Sequence, residues 1–278
     1  MKIPSLSPLC LLAAGLALSA TAHCETVLST GTATSPKPVI KTALVDPINS
    51  RQDENFAFYD LGPDGAVIDG VGTLPAARAW VSIRTPAGAD PVGNRNGVRF
   101  IQQTDPGIPD SIQFHLSSTG AVEITQRILL LFEKESWSAL KDGEKVKFGT
   151  TGEISFRGNN GAFQGGGSRF ASVVRSGDKY YIGNEVATID KKIGGVIEAD
   201  RVATSFANLS QETFTPFDPS APDFGGLNLA QLTGTVRGDS LKDITAIGLF
   251  MQCEKKFDGQ GANEINIATV EATLEKAP

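Results

Sequence analysis

A strict alternation of apolar and polar side chains runs through the stretch RAWVSIR, residues 78–84. A period of two residues is the mark of a half-buried β-strand, because successive side chains point to opposite faces. The apolar face carries Ala79, Val81 and Ile83, and the other face carries Arg78, Trp80, Ser82 and Arg84. On this phase, Val81→Asp should unfold the domain, whereas Trp80→Ala should change the thermal midpoint by only a few degrees.

Similar runs extend outward from this stretch, separated by clusters of Gly, Pro, Asn and Asp. Residues 112–116 alternate, and residues 117–120 form a turn into a strand at 121–132 whose end is apolar on both faces. The clearest hairpin joins residues 169–174 to residues 179–186, because Gly177 in the connecting turn tolerates positive φ. Two late strands are predicted at residues 243–253 and 265–274.

The composition favours an all-β protein, since charged residues are only 20% of the chain while it holds 30 Gly and 15 Pro. Twelve or more strands rarely form one open sheet. We therefore predict a two-sheet antiparallel β-sandwich, in jelly-roll form, as a single domain over residues 39–278. One short helix is predicted at residues 136–142, and residues 23–38 form a polar N-terminal arm.

The N-terminus has the layout of a secretory signal peptide over residues 1–22. Lys2 supplies a positive charge, residues 9–18 are apolar, and Ala20-Thr21-Ala22 reads as a small-residue cleavage site. The apolar run is too short for a membrane span. The mature chain is expected to begin near His23 and to be secreted or periplasmic, without a transmembrane segment.

Cleavage would leave two cysteines, Cys24 and Cys253, in an oxidising compartment. A disulfide between them would close a very long loop. Two alternatives stay open. Cys253 is in phase with an apolar strand face and could be a buried thiol, and Cys24 could carry a lipid. The bulky His23 before Cys24 argues against lipidation.

The charge pattern argues against nucleic acid as a partner. The net charge is −6, and no run of Lys or Arg is present to neutralise phosphates.

A resemblance to known proteins rests on two stretches, GSRFASVVRSGDKYYI at residues 167–182 and DITAIGLF at residues 243–250. The first resembles a hairpin of secreted bacterial jelly-roll proteins that are similar to galactose-binding-like carbohydrate-binding modules. The second resembles their late core strand. The resemblance implies a jelly roll with a possible polysaccharide or cell-surface glycan as partner, and it carries over no catalytic residue.

Two strand faces are candidate ligand-binding surfaces. The first is the face with Arg78, Trp80 and Arg84, because an indole can stack on a sugar ring while guanidinium groups bind hydroxyls or carboxylates. The alternative is that Trp80 packs under a loop while the arginines reach outward. The second surface would form on the hairpin if its two strand faces coincide, and it comprises Arg169, Arg175, Tyr181 and Glu185. An ordinary cross-strand charge lattice is the alternative there.

Catalytic and metal signals are weak. A Ser-His-Asp site would depend on His115 alone, since His23 lies at the cleavage site. Paired carboxylates could come from several strand glutamates, whose separations the sequence does not give. They are Glu123, Glu133, Glu153, Glu185 and Glu198. We assign no catalytic residue, no cofactor and no metal ligand, although structural calcium could bind the acidic loop at residues 60–69, or Asp218 with Asp223.

These observations predict a secreted, non-catalytic module that binds glycan through a strand-face aromatic and arginines. Two other functions remain open: a glycan-active hydrolase or lyase on the same fold, and a structural cell-envelope interaction protein without a small ligand.

Overall fold

The computed structural model describes residues 24–29, 40–44, 49–72, 74–88, 96–101, 110–118, 120–133, 145–158, 165–189, 200–208, 212–258 and 261–275. Within those ranges, residues 24–50, 145–167, 189–208 and 257–275 are described through their backbone pairing alone. The predicted signal peptide and the predicted helix at residues 136–142 lie outside the described residues.

Two antiparallel sheets contain the strands that the structure describes, which are numbered here along the chain. The seven-stranded sheet consists of β1 Cys24–Ser29, β2 Ile40–Leu44, β7 Gly97–Ile101, β8 Ser111–Ser118, β10 Lys145–Gly158, β13 Asp200–Asn208 and β17 Gly261–Glu275. Its order is β13-β10-β17-β8-β7-β2, and β1 pairs with β17 beyond the end of β8.

The ten-stranded sheet carries the surfaces on which the candidate site lies. It consists of β3 Asn49–Gln52, β4 Phe56–Asp60, β5 Ala66–Ile68, β6 Ala77–Pro86, β9 Ala121–Glu133, β11 Gly165–Ser176, β12 Lys179–Ile189, β14 Thr213–Phe217, β15 Val236–Arg237 and β16 Ile244–Asp258. Its order is β15-β14-β12-β11-β16-β9-β6-β4-β3, with β5 beside β6. Short 3-10 turns lie at Pro222–Gly226, Leu229–Gln231 and Gly238–Ser240.

Along one border, two neighbouring strands of the first sheet, β8 and β17, are connected directly to two neighbouring strands of the second, β9 and β16. Ser118 pairs with Gly261 in the seven-stranded sheet, and Ala121 pairs with Asp258 in the ten-stranded sheet. The chain therefore passes from the first sheet into the second between Ser118 and Ala121, as at the corners of packed sheets.

The main core fills the space between the sheets. Val98, Phe100 and Phe114 approach it from the seven-stranded sheet, and Val81, Ile128 and Phe170 from the other; all are at most 3% exposed. The rings of Phe114 and Phe170 meet edge to face at 6.0 Å. Burial of each such side chain contributes about 1.5–3 kcal/mol. The predicted β-sandwich and the inward phase of Ala79, Val81 and Ile83 are confirmed.

The predicted N-terminal arm differs from the structure in one respect. Cys24–Ser29 forms β1, which pairs with residues 271–275 of β17. Without β1, the backbone N–H and C=O groups on that side of residues 271–275 would form an unpaired sheet edge. Pairing with this edge explains why a segment without an apolar pattern forms a strand. Among the described residues, no helix is long and apolar enough to cross a bilayer.

Candidate binding cleft

The outer face of the ten-stranded sheet is covered in part by residues 218–232, which we call the covering segment. A second apolar cluster forms between this segment and the sheet. It includes Trp80, Leu129 and Phe250 of the sheet and Phe224 and Leu229 of the covering segment. The rings of Phe224 and Phe250 meet edge to face at 5.1 Å. The outer face of β6, which carries Trp80, is therefore partly buried under the covering segment and partly exposed. The alternation in the sequence did not indicate this partial burial.

A buried ion pair fastens the covering segment to the sheet. Arg127 of β9 lies 2.5 Å from the carboxylate of Asp223, and both side chains are at most 7% exposed. The Nε of Arg127 donates to the Leu227 carbonyl at 2.7 Å, and the Ser82 hydroxyl donates to Asp223 at 2.9 Å. These bonds hold Asp223 in the left-handed region, with φ of 52°, a conformation that costs a residue with a side chain about 1–2 kcal/mol.

The uncovered part of the outer face forms a cleft with two lobes. The smaller lobe has a volume of about 430 Å³ and the larger about 620 Å³. Both volumes lie in the range of small-molecule sites. The residues that line both lobes are Pro63, Trp80, Pro219 and Ser220. The two lobes are thus neighbours, and both border the indole of Trp80.

Trp80 forms the boundary between the lobes and is only 5% exposed. Its indole N–H donates to the Pro63 carbonyl at 2.9 Å. A Cβ on Gly65 would lie 2.8 Å from the indole ring, so glycine allows the loop to pack flat against it. Tyr180 contacts the ring edge to face at 6.2 Å. The indole is therefore a fixed wall, with little of its face open to a ligand.

The larger lobe is lined by charged groups that hold one another in place. Arg175 donates to both carboxylate oxygens of Glu133, at 2.5 and 3.2 Å, and to the Thr245 hydroxyl at 2.7 Å. Burial alone would lower the pKa of Arg175, but the Tyr180 hydroxyl and the Glu133 carboxylate outweigh burial and raise that pKa. Because two of its nitrogens donate to the one carboxylate of Glu133, this guanidinium is a cation held in a fixed position.

Arg78 lies at the rim of the larger lobe. It donates to the Asp64 carbonyl at 2.9 Å and lies 4.0 Å from Glu133, with 36% of its side chain exposed. Its guanidinium is 6.0 Å from the centre of the Trp80 ring. Part of its hydrogen-bonding edge remains available to a ligand.

Asp60 is the titratable group that lines the smaller lobe beside Arg51. Burial raises the pKa of Asp60, and the neighbouring Asp223 adds to the rise, against hydrogen bonds from Ser82 and from the Asp223 backbone. The floor of this lobe is thus a half-buried carboxyl next to the ion pair that fastens the covering segment.

The structure brings together three of the predicted site residues, Arg78, Trp80 and Arg175, from both candidate surfaces. Arg84 lies further along the same face, over the ring of Phe56. Arg169 pairs with Gln252 of β16, and the exposed Glu185 donates its backbone N–H to Glu212; neither lines the cleft.

Tyr181 requires a correction. It packs against the main core, whereas Tyr180 lines the cleft. The two-residue turn at Gly177 and Asp178 pairs Ser176 with Lys179, and therefore Arg175 with Tyr180. Counting outward from that turn would have identified Tyr180 from the sequence.

Two of the carboxylates considered for calcium have protein partners here. Asp223 binds Arg127, and Asp218 accepts hydrogen bonds from the backbone and hydroxyl of Ser220. Within the described part of the chain, no group of three or more His, Cys, Asp or Glu residues is placed to hold a metal ion.

The proposed cysteine bridge stays a prediction. Cys253 is fully buried in the main core, which agrees with its alternative interpretation as a small apolar residue. Cys24 is described only through its pairing with Glu275.

A second buried carboxyl, Glu212, lies away from the cleft and is 6% exposed. It accepts hydrogen bonds from the Ser172 hydroxyl and the Glu185 backbone, both at 3.1 Å. Burial raises its pKa to about 7, and the charge of Glu185 adds to the rise. A Cβ on Gly183 would lie 2.1 Å from its Oε1, so glycine makes room for this carboxyl.

Comparisons with known proteins give only distant likenesses. No family model matches the chain. No curated protein matches it either. Among solved structures, a family 11 carbohydrate-binding module from Clostridium thermocellum, in complex with a β-1,3-1,4-mixed-linked tetrasaccharide, shares 13% identity over 89% of this chain and 97% of its own, with a TM-score of 0.23. The family 11 module of a cellulosomal cellulase of that organism shares 13% identity over 88% and 97%, with a TM-score of 0.23. Likeness at this level carries no argument about function.

Proposed function

We propose that this chain is a secreted, non-catalytic module that binds an uncharged stretch of polysaccharide in the cleft. The observation that carries the proposal is the junction at Trp80, where apolar surfaces of Pro63, Pro219 and Tyr180 adjoin the fixed polar groups of Glu133 and Arg175. A sugar ring needs both kinds of surface, because it has apolar C–H faces and a rim of hydroxyls.

The charges of the larger lobe favour an uncharged ligand. Its described lining holds two cations, Arg78 and Arg175, against three carboxylates, Asp64, Glu133 and Asp218. Both oxygens of Glu133 are already bonded to Arg175. Donors and acceptors that are fixed in position and carry no surplus positive charge suit the hydroxyl groups of a sugar. A hydroxyl forms a stronger hydrogen bond with a charged side chain than with a neutral one. Side chains that are already held in place need no reordering when the ligand binds.

The proposal is tested with the mature chain, residues 23–278, on immobilised cellulose, xylan, mixed-linked β-glucan and galactan. We expect retention on at least one polysaccharide. Arg78→Ala should weaken it at least tenfold, as expected for the loss of charged hydrogen bonds worth about 1.5–3 kcal/mol. Arg237→Ala is the matched control, because Arg237 is 72% exposed and pairs only locally with Asp239. Equal retention of Arg78→Ala and wild type would place binding elsewhere, and no retention by wild type would remove the proposal.

A glycan-active enzyme is the second candidate, and Asp60 is the observation that favours it. A half-buried carboxyl with a raised pKa at the floor of a cleft is the type of group that serves as a general acid. Soluble sugar released during the retention assay, and lost in Asp60→Asn, would replace binding by catalysis as the function.

A further inference from the structure

Four side chains form a stack on the outer face next to the smaller lobe. The guanidinium of Arg51 lies 4.1 Å from the centre of the Phe58 ring, and that of Arg84 lies 4.7 Å from the Phe56 ring. The two rings meet edge to face at 6.4 Å. We call these four residues the arginine–phenylalanine stack.

The register of three neighbouring strands places the stack on the same face as the cleft. Arg51 of β3 pairs with Phe58 of β4, and Phe58 pairs with Arg84 of β6. Arg84 follows Trp80 by four residues on β6, or about 13 Å along the strand. Arg51 itself lines the smaller lobe, so the stack continues the cleft past Asp60.

Stacking leaves the N–H edges of both guanidinium groups available. A ring contacts the face of a guanidinium, whereas its donors point outward in the guanidinium plane. Neither Arg51 nor Arg84 is in a salt bridge with another residue that the structure describes. This distinguishes them from Arg175, whose donors are occupied by Glu133 and Thr245.

Two carboxyl groups lie near the stack: Asp53, in the turn between β3 and β4, and Asp60, which lines the smaller lobe beside Arg51. Asp53 accepts hydrogen bonds from the backbone of Asn55 and Phe56, which lower its pKa, and Arg51 and Arg84 contribute to the same effect. Asp60 is half-buried and burial raises its pKa, so Asp53 is the exposed anion beside the two cations. Among these four groups there is no surplus of negative charge, whereas the larger lobe of the cleft has three carboxylates against two cations.

We infer that the arginine–phenylalanine stack is a subsite for an anionic substituent, a carboxylate or a sulfate ester, on a polysaccharide whose uncharged stretch lies in the cleft. This inference rests on the proposed function. The net charge of −6 repels a densely charged polymer. The ligand class is therefore a largely neutral chain with isolated acidic groups.

The test compares matched polysaccharides that differ only in their acidic groups. The probes are glucuronoxylan and carboxyl-reduced glucuronoxylan for the carboxylate, and lightly sulfated and unsulfated xylan for the sulfate ester. We expect wild type to bind at least one acidic form about tenfold more tightly than its neutral partner. The variant Arg84→Gln, at the arginine of the stack that does not line the cleft, should lose most of that preference and keep the affinity for the neutral chain, whereas Arg237→Gln should keep both.

A measurement on wild type covers the case in which the Arg84→Gln variant does not fold. Between 20 and 500 mM NaCl, the preference for the acidic chain should fall severalfold while affinity for the neutral chain stays constant, because salt screens exposed charges. Equal affinity for acidic and neutral chains would overturn the inference and leave the proposed function standing. No binding to any of the four chains, together with no retention on the earlier panel, would overturn both.

Discussion

The two faces of β6 differ in what covers them, although residues 78–84 supply both. The inner face meets the opposite sheet through Ala79, Val81 and Ile83, all at most 2% exposed. The outer face meets a segment from more than 130 residues later in the chain, fastened by Asp223 and Phe224. Alternation in the sequence therefore identifies the face that lies between two sheets, whereas burial of the other face depends on distant contacts that leave no local pattern.

The largest expected effect is on the inner face. Val81→Asp would place a carboxylate between the sheets, and an unpaired buried charge costs more than a domain of marginal stability can lose. We expect no cooperative unfolding transition in urea. The control is Val67→Asp, because Val67 is 62% exposed. A folded Val81→Asp protein would contradict the assignment of the inner face.

The buried ion pair tests whether the covering segment is part of the folded core. Arg127→Met leaves the Asp223 carboxylate without its partner and should lower the free energy of unfolding by about 3–5 kcal/mol. Arg127→Met/Asp223→Asn should lower it less, since no isolated charge remains. Urea unfolding of both variants measures the difference. Equal losses would mean that the two side chains are not coupled.

Trp80→Ala measures the cover on the outer face directly. The sequence predicted a small effect, but an indole that is 5% exposed supports Gly65 and Tyr180. We now expect a loss of about 3 kcal/mol, at the low end for a buried Trp, because the ring borders an open cleft. A change of only a few tenths of a kcal/mol would show that the covering segment does not close over this face.

The last expected effect depends on pH and concerns Glu212, which directly precedes β14. Its raised pKa means that the folded state binds the proton more tightly than the unfolded state does. Its contribution to stability is therefore full below pH about 4.5 and is lost as pH rises to about 7. Glu212→Gln should match wild type near pH 4.5 and exceed it by about 3 kcal/mol at pH 8, because stability falls by about 1.4 kcal/mol per pH unit between pH 4.5 and about 7. The exposed Glu123→Gln is the control, and a difference that does not vary with pH would contradict the account.

The sequence predicted the strands and their inner faces well, because a period of two is a local property of residues such as Val81 and Ile128. It did not predict the cleft. Asp223 reaches Ser82 across 141 residues of chain, and a segment that contains Pro219, Gly225 and Gly226 shows no periodicity. Tyr180 could have been predicted from the sequence, since the turn at Gly177 fixes the register of the hairpin. The proximity of Arg78 to Arg175 could not, because it depends on β16 and β9 lying between their two strands.

Hydrogen–deuterium exchange of residues 23–278, with and without a polysaccharide that retains them, would show where the polysaccharide lies. We expect slower amide exchange at residues 61–65 and 218–224, the two loops that line both lobes of the cleft. Protection confined to other segments, such as the edge at residues 236–240, would contradict the claim that this cleft is the binding site.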